Sequence, residues 1–116
     1  MIVETLGQQP GEAAERKLLR SVFFKGMAIA AIESLTAARA AGCEPWLRAQ
    51  LIDTLDGAGE QLLDRWIEGS STHAVRRGAE TAAAAAMLAD LGTPARVSEA
   101  AAAWHAQLAR EEAHDG

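Results

Sequence analysis

The sequence predicts an all-α protein: five to six helices bundled around one long N-terminal helix, preceded by a short strand-like segment. Three observations predict it. Alanine and leucine are abundant and few β-branched residues follow Val22, a composition that favours helix. Glycine and proline punctuate the chain at helix-length intervals. The stretch 27–38 is largely apolar and Glu33 is its only charge, so a helix there needs cover on nearly every side.

The first helix is predicted over residues 11–41, with Gly42 as its C-terminal cap. That is far longer than the usual ~11–12 residues. Its apolar part is expected to be buried by the other helices or by a second subunit. Gly26 inside it marks close packing or a bend. Glu44 and Pro45 open a second helix, proline suiting the first turn, and it ends near Asp56 and Gly57. A third covers 60–68 and stops at Gly69. Ser70, Ser71 and Thr72 offer capping hydroxyls for a fourth over 72–91. Gly92, Thr93 and Pro94 separate it from a fifth over 96–112. The alanine runs at 82–86 and 100–103 read as flat faces for close helix approach, with Leu88, Leu91, Trp104 and Leu108 supplying bulk between them.

The segment MIVETLG reads as a strand, with Ile2, Val3 and Leu6 apolar and Gly7 closing it. A lone strand cannot satisfy its backbone groups. Residues 1–8 are therefore expected to be a strand remnant or linker from a larger protein, and residues 9–116 the helical domain.

Length and charge bound the function. One domain of 116 residues can build a core without staples. A single cysteine, Cys43, forbids an internal disulfide and fits a reducing compartment. It reads as a buried small residue rather than a nucleophile, having no basic neighbour in sequence. No apolar run approaches membrane-span length and the start lacks signal-peptide character, so the expectation is a cytoplasmic protein with no membrane partner. A net charge of −5 argues against nucleic acid as a partner. His105 and His114 are nine apart and no Cys/His spacing fits a metal site.

Cations nevertheless cluster locally. In GEAAERKLLRSVFFKG, Lys17, Ser21 and Lys25 fall four apart on one stripe of the first helix, with Arg20 beside them. By composition alone this is a solvated cationic face. A second cluster, SSTHAVRRGAE, brings His73, Arg76 and Arg77 to the expected start of the fourth helix. Free N–H groups there make it a candidate anion site. The plain alternative is capping by Ser and Thr, with Arg76 and Glu80 pairing four apart. Glu33, the lone charge in its apolar stretch, needs a partner if buried, and Arg76 or Arg77 is expected to supply it as a structural ion pair. The tryptophans at 46, 66 and 104 read as core or interface anchors.

The spacing Gly11-x-Ala13-x-x-x-Lys17-x-x-x-Ser21, with Glu33 sixteen residues past the lysine, resembles the β-hydroxyacid dehydrogenase superfamily at the start of its helical C-terminal domain. The nearer resemblance is to the 6-phosphogluconate-dehydrogenase-like, NAD-binding branch whose C-terminal domain is of unknown function. KLLRSVFFKG, the stretch 33–42, HAVRRGAE and LADLGTPARVSEAA carry it in order. Ala13 stands where the family pattern has a second glycine, and Ser21 where it has asparagine. No Gly-x-Gly-x-x-Gly follows a strand anywhere, so the phosphate cradle of dinucleotide binding is absent from this chain.

The resemblance implies a role for each part. Lys17 would transfer the proton at the substrate hydroxyl or carbonyl while hydride passes to or from nicotinamide. A lysine serves as a base when nearby positive charge disfavours its ammonium form, and Arg16, Arg20 and Lys25 are close in sequence. Arg20 and Ser21, one turn on, would hold a carboxylate, with Lys25 the second candidate for the catalytic role. His73, Arg76 and Arg77 complete the candidate substrate contacts. The implied partners are a small anionic hydroxy-acid substrate, a second copy in a homodimer, and a nucleotide-binding domain missing here. No cofactor is expected on this chain alone; NAD or NADP is implied for the full-length protein. The competing expectation is a free-standing dimeric helical binding or scaffold module without catalysis, which the departure at Ser21 favours.

Overall fold

The structure, a computed structural model, describes residues 10–115. Five helices make up the described chain: α1 (Pro10–Ala41), α2 (Glu44–Asp56), α3 (Glu60–Thr72), α4 (Ala74–Asp90) and α5 (Arg96–Asp115). The all-α bundle expected from composition is the architecture observed, and no strand occurs among the described residues. The strand expected over residues 1–8 lies outside them. The chain divides into two compact units, with the boundary inside α1 between Ile32 and Glu33.

Two glycines terminate helices by the same device. Gly42 takes a φ of 82° and Gly92 a φ of 76°, in the left-handed region that costs residues with a Cβ about 1–2 kcal/mol. After α1, the Gly42 N–H donates to Arg39 O at 3.1 Å and the Cys43 N–H to Ala38 O at 2.8 Å. After α4, Gly92 donates to Ala89 O at 3.0 Å and Thr93 to Leu88 O at 2.9 Å. This paired 5→2 and 6→1 pattern is the Schellman closure, which satisfies carbonyls the helix end leaves open. Arg39 then bonds Glu44 at 2.6 Å across the α1–α2 turn, and Pro45 sits in the first turn of α2 as the sequence suggests.

In the second unit, residues 33 onward, α4 and α5 form the main packed pair and α3 lies against both. The buried core joins Ala37 of α1, Leu88 of α4 and Ala95, with Ala85 and Leu91 packed against it. Small residues set the spacing between α4 and α5. A Cβ built on Gly78 would come within 3.3 Å of the His105 Cβ, so glycine at 78 permits the close approach.

Several expectations need correction. Gly69 does not end α3, which continues to Thr72. The chain turns into α4 at His73, whose N–H donates to Gly69 O and whose carbonyl accepts from the Arg77 N–H, both at 2.9 Å. Ser70, Ser71 and Thr72 therefore finish α3 instead of capping α4, and no side chain caps the start of α4. Trp104 is 61% exposed and Trp46 62%, so neither anchors the core of the single chain. The half-buried positions of α5 recur at 97, 98, 101, 102, 105, 108 and 109, a 3.6-residue stripe that leaves 104 on another face. Cys43 is half-buried, not buried. Leu18, Leu19, Val22, Phe24, Ile29 and Ile32 of α1 are each more than half exposed. A Cβ on Gly26 meets nothing within 4 Å, so that glycine does not mark close packing.

Candidate functional site

The cationic stripe is built by helical periodicity alone. Residues four apart stack on one side of a helix, and Lys17, Ser21 and Lys25 all lie within α1. Lys17, Arg20 and Lys25 are exposed and Ser21 is half-buried. Arg20 is steadied one turn on: its guanidinium lies 5.0 Å from the Phe24 ring centroid, a cation–π contact. Phe24 in turn meets Phe23 edge to face, centroids 5.4 Å apart. The arrangement presents an ammonium, a guanidinium and a hydroxyl within one turn of each other. That set can bind a carboxylate and exchange a proton with a neighbouring hydroxyl.

The second cluster lies in the other unit and is arranged differently from its expected form. His73 is the turning point between α3 and α4, and it lines an open groove of about 520 Å³ with Ser71, Thr72, Val75, Arg76 and Glu112 among others. Arg76 faces its intrahelical neighbour Glu80 at 4.0 Å with both side chains well exposed, an ion pair of little energetic weight. Arg77 is engaged elsewhere. Its guanidinium lies so close over Gly69 that a Cβ there would clash with it, and Nη1 donates to Ser70 Oγ at 3.5 Å. The groove therefore offers His73 and Arg76, with Glu112 opposing any anion bound there.

Glu33 has partners that differ from the expected arginines. Its Oε1 accepts from the Val97 N–H at 2.8 Å, and its Oε2 from the Ser98 N–H at 2.8 Å and the Ser98 hydroxyl at 3.0 Å. The carboxylate thus caps α5 from another helix, meeting N–H groups that would otherwise be orphaned. Burial pushes the Glu33 carboxyl up, but the hydrogen bonds from Val97 and Ser98 outweigh it and hold the group below its ordinary range. Two unmet needs in the sequence accord with this contact without identifying it. Ala95, the residue before α5, has no side-chain acceptor to offer its first turn, and Glu33 has no cation within four residues on its own helix. Another cross-helix contact was also not foreseen: Thr81 Oγ1 lies 3.2 Å from His105 Nδ1 and bonds its own helix at Arg77 O, 2.9 Å away.

Among the described residues no group of His, Cys, Asp and Glu could hold a metal ion, and no helix is long and apolar enough to cross a membrane. No curated protein and no solved structure matches the chain. A family model, Domain of unknown function (DUF1932), matches residues 38–108, a span that holds Leu88 and Ala95 of the core, both glycine closures and the α3–α4 turn. The chain belongs to the DUF1932 family, a helical domain related to the C-terminal domains of NAD-binding dehydrogenase-like proteins.

Proposed function

We propose that this chain is the substrate-binding and dimerisation domain of an NAD(P)-dependent dehydrogenase acting on a 3-hydroxyacid or a 6-phosphogluconate-like substrate. The family membership over residues 38–108 carries the reading. The exposed set of Lys17, Arg20 and Ser21 supplies the chemistry it requires.

These residues do not fit a dinucleotide. The sequence holds no Gly-x-Gly-x-x-Gly, and no strand among the described residues could present such a turn to a pyrophosphate. Nucleotide binding is therefore assigned to residues outside these 116, and the chain by itself is inactive. Its own part is to hold the substrate and manage a proton. Arg20 and Ser21 bind the carboxylate, and Lys17 Nζ takes the proton from the substrate hydroxyl or returns it to the carbonyl oxygen. Lys25 lies two turns further along and adds positive charge. His73 and Arg76 are a second, weaker anion contact. The exposed apolar side chains of α1 support pairing with a second copy, because apolar residues on all sides of a helix require protein cover.

The test is turnover in the complete enzyme, comprising this chain and its nucleotide-binding domain. Lys17→Ala is expected to lower kcat by roughly 10²–10⁴-fold, the usual worth of general acid–base catalysis, with nucleotide affinity unchanged. Lys17→Arg rescues little, since a guanidinium stays charged. Near-normal turnover in Lys17→Ala would remove the assignment. Failure of the complete protein to oxidise any hydroxy acid with either nucleotide would remove the dehydrogenase reading itself.

A further inference from the structure

We draw no further inference here: the strongest candidate, the open groove beside the α3–α4 turn lined by His73, Arg76 and Glu112, belongs to the site already described and adds only a helix N-terminus, with no second observation that points to a ligand.

Discussion

The two compact units meet their polar and apolar requirements in opposite ways. In the unit from Glu33 onward, contacts run between helices. Glu33 caps α5, Thr81 meets His105, and Leu88 is buried to 5% exposure against Ala37 and Ala95. In residues 10–32, Arg20, Phe23 and Phe24 make ring and cation contacts along α1 itself. Large apolar side chains there face solvent. The contrast teaches that one stretch of helix serves two purposes. Its last turns complete this chain's core, and its earlier turns carry side chains suited to protein cover. The family model begins at residue 38, within the part that is satisfied internally.

The sharpest way to break the comparison is to charge the earlier turns. If a second copy covers them, Leu18→Glu with Val22→Glu removes two apolar anchors. At about 2 kcal/mol or more each, the dimer dissociation constant rises roughly 10³-fold. Light scattering at micromolar concentration should then show a dimer for the parent chain and a monomer for the variant. A parent chain that is already monomeric sinks the pairing.

The next effect lies in the internally satisfied unit. Leu88→Ala leaves a cavity among Ala37, Ala85 and Ala95, side chains too small to fill it. Loss of about 2–5 kcal/mol is expected in denaturant unfolding. A loss under 1 kcal/mol would mean that the core is not where the burial pattern puts it.

The smallest effect concerns the Glu33 clamp. Glu33→Ala withdraws the acceptor from two backbone N–H groups and one hydroxyl, at an expected cost of about 1–3 kcal/mol, nearer the lower figure because water reaches this half-buried site. The pH dependence has a definite sign. The folded carboxyl titrates below its ordinary range, so its contribution is complete above the unfolded value, near pH 4.5. It is lost as pH falls through the lower folded value. Unfolding midpoints measured from pH 7 to pH 3 should fall more steeply for the parent than for Glu33→Gln. Parallel curves would show that the carboxylate charge contributes nothing.

Much of the fold was legible before the structure. Gly42, Gly92 and Pro45 mark helix ends by backbone chemistry that acts locally, so sequence alone locates them. Gly69 was misread because glycine inside a helix and glycine ending one look alike until the next residues' bonds are known; here the His73 N–H continues the ladder to Gly69 O. Trp104 was legible in principle, since the period of α5 excludes it from the packed stripe. The partner of Glu33 was not. Its donors lie 64 and 65 residues away, and pairing a lone carboxylate with a distant uncapped helix requires the tertiary arrangement. For the stripe at Lys17, helical spacing gives its shape, and the role proposed for it rests on the family resemblance and not on that spacing.

The separation between Glu33 and α5 also bears on how the chain folds. Most of the helix pairs here, α3 with α4 and α4 with α5, join neighbours in sequence and close short loops. The Glu33 clamp instead closes a loop of about sixty residues, whose entropic cost must be met before the bonds form. Such a contact belongs late on the folding route, after the local pairs have docked. Interactions absent from the transition state act on the rate of escape and not on the rate of arrival. Weakening the clamp should therefore hasten unfolding and leave refolding nearly unchanged. In kinetic terms Glu33 guides assembly little and instead sets how long the assembled helices stay together.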